Sequence, residues 1–89
     1  MPSISMFYGI LIYMYFADDK QHKLPHLHAF YNEYEAIFDL KSGDILSGKF
    51  PPKETKLVQT WILLRQDELF ANWKLAISGE PLYKIEPLR

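Results

Sequence analysis

The sequence predicts an α+β fold, an antiparallel sheet of three or four strands with one kinked helix or two helices packed on one face, and three observations predict it. Apolar residues alternate along the first half of the chain, and they recur at three- and four-residue steps along the second. Pro51-Pro52 divides the two regimes, since proline cannot donate to a strand ladder but is tolerated in the first turn of a helix. With 89 residues there is material for one core, so a single domain over residues 1–89 is expected.

Phe7 to Phe16 is nearly all apolar, with Ile10, Ile12, Met14 and Phe16 on one alternation and Leu11, Tyr13 and Tyr15 on the other. Pleating sends the wholly apolar set to the core and the tyrosine set to the opposite face. The run is far short of the roughly 20 residues of a membrane span, and neither a basic flank nor a small-residue cleavage site accompanies it, so a strand is expected instead. Ala17 to Pro25 is polar and closed by proline, the pattern of a long loop that carries function. His26 to Tyr31, a turn at Asn32-Glu33, and Glu35 to Leu40 then read as a hairpin. Its inward set is Leu27, Ala29, Tyr31, Ala36, Phe38 and Leu40, which leaves His26, His28, Glu35 and Asp39 outward.

Lys41 to Asp44 is a second turn, and Ile45 to Phe50 a further strand, weakened or bulged at Gly48. Helix follows, with Leu57, Trp61 and Leu64 in phase and then Leu69, Trp73, Ala76 and Ile77. The five-residue step from Leu64 to Leu69 breaks phase, which means a kink near Gln66 or a second helix capped by Asp67. Both tryptophans fall on the apolar stripe and are assigned to the core. Gly79 and Pro81 stop the helix, and Leu82 to Leu88 form an edge strand or an ordered tail.

Composition narrows the function classes. There is no cysteine, which removes disulfides, thiolate nucleophiles and zinc-thiolate sites and suits a reducing cytoplasm. Net charge is -1, so no global field draws the chain to nucleic acid or anionic lipid; nucleic acid is a disfavoured partner, and a membrane is none.

Met1-Pro-Ser-Ile-Ser5, Phe7-Tyr-Gly9, Met14-Tyr-Phe16, Pro25-His-Leu-His28, Glu35-Ala36, Gly48-Lys49, Asp67-Glu-Leu69, Asn72-Trp73 and Gly79-Glu-Pro81 together resemble the small bacterial family catalogued as domain of unknown function 4160. Around the histidines that family pattern is an acidic residue and His, a linker, Pro-Pro-His, an aromatic, His. Here Asp19 to His22, Lys23-Leu-Pro25 and Leu27 stand in those places, with a longer loop. The resemblance implies genes arranged like toxin-antitoxin pairs, and hence a small cognate protein as partner.

The histidine segment from His22 to His28 is the sharpest chemical feature. Residues i and i+2 of a strand point the same way about 7 Å apart, so His26 and His28 converge on one side. A divalent metal is one use of the pair, with His22, Asp18, Asp19 or Glu35 as a third donor; local hydrogen bonding is the plainer one. General acid-base work on RNA is another, with Lys20, Lys23 or Lys49 as the cation that steadies the developing charge. Lys49, Lys53 and Lys56 flank the helix start, either as an anion site or as ordinary solvated lysines beside Glu54. Last, Leu11, Tyr13, Tyr15, Phe30 and Ile37 would make an outward face too apolar for water, implying a partner, a second protomer or cover from the C-terminal segment. The leading expectation is a non-catalytic interaction module working through the tyrosine and histidine face, by way of Tyr13, Tyr15, His22, Lys49 and Lys53. The alternative is an RNA-cleaving toxin or a metal-binding protein using His26 and His28.

Overall fold

The computed structural model describes residues 3–15 and 24–89. Five strands, β1 (Ser5–Phe7), β2 (Ile10–Tyr13), β3 (His26–Tyr31), β4 (Tyr34–Asp39) and β5 (Ile45–Lys49), form one antiparallel meander in chain order, followed by α1 (Pro52–Leu64) and α2 (Gln66–Ile77). The α+β class is as expected, but the sheet has five strands where three or four were predicted. The extra strand, β1, reaches back to Ser5, ahead of the apolar run that reads from sequence as a single strand starting at Phe7, and the chain makes a hairpin there. It folds back on itself at Tyr8 and Gly9, both at positive φ (51° and 77°), and so pairs Phe7 with Ile10 and Ser5 with Ile12. Two successive left-handed residues define the tight hairpin turn that Asn-Gly normally makes; tyrosine in the first position hides it.

The inward alternation holds on β2, β3 and β4 but not on β5, which buries no residue, and Phe16 of the predicted inward set lies outside the described residues. Ile10, Ile12, Met14, Leu27, Ala29, Ala36, Phe38 and Leu40 are buried, and Tyr31 packs partly against them. β4 and β5 lose register between Ile37 and Phe38, which face Ser47 and Ile45, so Leu46 is the extra residue of a bulge. Gly48 lies two residues further on, at φ +87°, where an added Cβ would come within 2.3 Å of the Glu35 carbonyl oxygen. Its role is therefore close backbone approach rather than the bulge itself.

The helical stripe is shifted by one residue from the predicted phase in α1, where Val58, Trp61 and Ile62 are buried while Leu64 is exposed. The chain breaks into two helices at Arg65 (φ -118°, ψ 25°), and Arg65 rather than Asp67 occupies the N-cap position of α2. Asp67 and Glu68 lie instead in the first turn, where carboxylates complement the helix dipole. In α2 the buried set is Leu69, Asn72, Trp73 and Ala76, with Ile77 exposed.

Residues 80–89 form an ordered strap and not a strand. The Asn72 amide donates to the Tyr83 carbonyl (2.8 Å) and accepts from the Tyr83 N–H (3.1 Å). Trp61 Nε1 donates to the Glu86 carbonyl at 2.7 Å, and the Ile85 N–H donates to the Ile4 carbonyl at 2.9 Å. Ile85 itself enters the core. The strap thus runs between the helices and the beginning of β1, which leaves the outer sheet face uncovered by it. No helix among the described residues is long and apolar enough to cross a membrane.

Gly48 gives this fold a sharp test. Gly48→Ala must either distort the left-handed backbone or push β5 off β4, at an expected cost of about 2–4 kcal/mol. For a domain of this size thermal unfolding followed by circular dichroism should then fall by roughly 8 °C or more.

Candidate functional site

The outer face of the sheet is built by register. Met6, Leu11, Phe30, Glu35 and Lys49 stand opposite one another across the five strands, and Tyr13, His28, Ile37 and Ser47 form the next row. Leu11, Tyr13, Tyr15, Phe30 and Ile37 are all half-buried, and Leu11, Tyr13, Tyr15 and Phe30 line a shallow depression of about 440 Å³. One side of this surface is therefore aromatic, and the far side, at the β4–β5 edge, carries the opposed charges of Glu35 and Lys49.

A continuous run of rings crosses this face. Phe30 meets Tyr13 edge-on (centroids 5.4 Å), Tyr13 stacks on Tyr15 (6.2 Å), and Tyr15 meets His28 edge-on (4.5 Å). From His28 the run passes to His26 (5.4 Å) and ends on Trp73 of α2 (4.9 Å). Such spacings are those of favourable aromatic pairs. The two imidazoles are adjacent, as strand parity requires.

They are not open to solvent, and that corrects the sequence reading. His26 is 0% exposed and His28 9%. One reason lies at the end of the sheet: beyond the Tyr13–His28 pairing of β2 with β3, the Trp73 ring of α2 packs against His26. Tyr15 covers His28 in a similar way. His26 Nδ1 lies 2.8 Å from the Leu24 carbonyl oxygen. A carbonyl only accepts, so Nδ1 donates in this bond.

Of the remaining candidates, those among the described residues do not join this pair. Among the described residues no group of three His, Asp or Glu side chains is arranged to hold a metal ion. His22, Asp18, Asp19, Lys20 and Lys23 lie outside the described residues. Glu35 faces Phe30 and Lys49 and is exposed, and the Asp39 carboxylate accepts from the N–H groups of Lys41 and Ser42, so it shapes the β4–β5 turn. Lys49, at the end of β5, and Lys53 and Lys56, in α1, are exposed.

Two participants escaped the sequence reading. Trp73 falls on the core stripe, but nothing local marks it as the ring that closes the histidine run. Asn72 binds the strap backbone. A signal for it was present, since an amide in phase with Leu69, Trp73 and Ala76 sits at a core position and must find a buried partner.

A family model described as domain of unknown function (DUF4160) matches residues 9–74. No curated protein and no solved structure matches the chain.

If His26 is a packed element of the fold, His26→Ala leaves a void beside Trp73 and frees the Leu24 carbonyl. The expected loss is about 2–4 kcal/mol, seen as a lower urea midpoint at unchanged slope. A midpoint equal to that of the parent chain would remove the packing role.

Proposed function

The chain belongs to the DUF4160 family, and on that footing we propose that it is a non-catalytic interaction module that binds a small cognate protein through the aromatic face of its sheet. The observation that carries this reading is the half-buried set Leu11, Tyr13, Tyr15, Phe30 and Ile37, on the face that the chain's own helices and strap leave open. A sheet with one face packed and the other solvated normally alternates apolar with polar residues. Here the solvated face is apolar over β2 and β3, and its rings are braced by one another.

Tyrosine and phenylalanine held in this way present large rigid contact areas at small entropic cost, which is why aromatic residues dominate binding hot spots. Tyr13 and Phe30, in direct edge contact, are the expected centre of the interface. Met6, 61% exposed and in the Leu11 row, would extend it toward β1, and Glu35 and Lys49 would form its polar rim.

RNA cleavage, the alternative, asks both imidazoles to reach a phosphodiester group. The complete burial of His26 against Trp73 weighs against that, and favours histidines that support the neighbouring tyrosines from below.

The test is co-purification from the native host without an affinity tag, comparing the parent chain with a Tyr13→Lys/Phe30→Lys variant. A small protein should co-elute with the parent, and its affinity should fall about a hundredfold or more in the variant. The unfolding midpoint should stay within a few degrees. A parent chain that is monomeric and carries nothing, or a variant that binds equally well, would end this proposal.

A further inference from the structure

We propose that the groove now holding residues 83–86 is a docking site for an extended segment of a partner protein, with the chain's own strap as the resident competitor. The segment it fits carries a basic residue followed by a branched aliphatic one. This site is separate from the aromatic face and does not rest on the reading given to that face.

Main-chain recognition is the first argument. Asn72 makes two bonds to the Tyr83 peptide groups, Trp61 donates to the Glu86 carbonyl, and the Ile4 carbonyl accepts from the Ile85 N–H. All of these address backbone groups, which any extended peptide presents, as in recognition by strand addition. Within residues 83–86 the apolar selectivity comes from one side chain. Ile85 is 5% exposed, whereas Tyr83 is 72% exposed and Lys84 and Glu86 also face solvent.

The second argument is that the strap underfills its groove. A cleft of about 470 Å³ remains between β1, α2 and the strap, lined by residues that include Ser5, Met6, Glu68 and Lys84. Ser5 borders this cleft with its hydroxyl buried and without a hydrogen-bond partner. A buried polar group left unsatisfied is a cost that the closed strap carries, and a segment offering a polar group there relieves it. Lys84 Nζ donates to the Ser3 carbonyl at 2.6 Å, so a strap that leaves frees this acceptor for the basic residue of an incoming segment.

The third argument is the attachment of the strap. It joins α2 through Gly79, at φ +73° and with open space where a side chain would stand, and the Gly79 and Glu80 N–H groups donate to the carbonyls of Ala76 and Leu75, so a strap released from its groove would stay tethered to a fixed helix end. A tethered competitor acts at an effective concentration of about millimolar, so the intact chain should bind a free peptide only weakly.

The probe is a fluorescent decapeptide with the sequence of residues 80–89, titrated into three full-length forms. In Ile85→Gly the anchor of the strap is removed, and the peptide should bind at least about tenfold more tightly than to the parent. In an oxidised Ser3→Cys/Lys84→Cys chain the strap is tied to the start of β1, and since the parent has no cysteine the cross-link is unambiguous. That form should not bind. The same peptide with aspartate in place of its isoleucine should bind to none of the three. Equal affinities for parent and folded Ile85→Gly would overturn the proposal. Should circular dichroism show Ile85→Gly to be unfolded, the comparison of parent with tied chain decides. Near-millimolar peptide must then shift the Trp61 indole N–H resonance of the parent and leave the tied chain unchanged, and identical spectra overturn the proposal. A dimer that the cross-link abolishes, with no peptide uptake by any form, would assign the groove to a second copy and overturn it as well.

Discussion

Polar side chains on the helices, bonded to main chain outside them, fix where the helical layer sits. Gln59 donates to the Gly43 carbonyl at 3.0 Å, and Gln66 to the carbonyls of Leu40 and Lys41 at 3.1 and 2.9 Å. These bonds tie both helices to the turn between β4 and β5. Trp61 and Asn72 do the same for the strap on the other side. Apolar burial drives the layers together but is non-directional, so it does not choose among neighbouring orientations of a helix pair on a sheet. Hydrogen bonds from fixed positions on α1 and α2 to carbonyls of the β4–β5 turn and of the strap do choose. Once they are made, Trp73 is brought to the start of β3, and the burial of His26 follows.

What the sequence revealed divides along physical lines. Strand alternation was legible because parity is strict: of the inward residues described from Ile10 to Leu40 all are buried but Tyr31, which is partly so. The helical stripe was legible only to within a residue. Leu57, Val58, Trp61, Ile62, Leu63 and Leu64 are all apolar, and composition alone does not say which of them meet the sheet. The first hairpin was hidden by Tyr8, whose left-handed backbone is unusual for a bulky side chain. The break at Arg65 was visible as a change of phase, but its cap was misplaced because no side chain makes it.

The site was legible in the same uneven way. That His26 and His28 share a side follows from a period of two, and their rings do lie together. Their exposure depends on what approaches from far along the chain, namely the Trp73 ring, which no local pattern announces. The aromatic face, by contrast, was predictable from Leu11, Tyr13 and Tyr15 alone, and Phe30 extends it through the register of β2 with β3. Asn72 shows the converse: a polar residue inside an apolar stripe was a readable sign of a specific buried partner, although not of which one.

β1 is where the two candidate surfaces meet. Met6 stands opposite Leu11 at the edge of the aromatic face, and it also lines the cleft beside the strap. Its neighbour Ser5 belongs to the opposite alternation and is buried, so three residues of edge strand separate a solvated aromatic surface from a main-chain-reading groove. Edge strands are normally guarded, and here the guard is the strap, which takes the Ile4 carbonyl before another chain can. A protein covering the aromatic face would reach Met6 first, and an unbranched, polarizable thioether adapts its shape to whatever arrives. Its next contact beyond Met6 is the underfilled cleft. The geometry therefore lets one partner engage the face with its own folded surface and the groove with an extended segment, wrapping β1 between them, without either contact requiring the other.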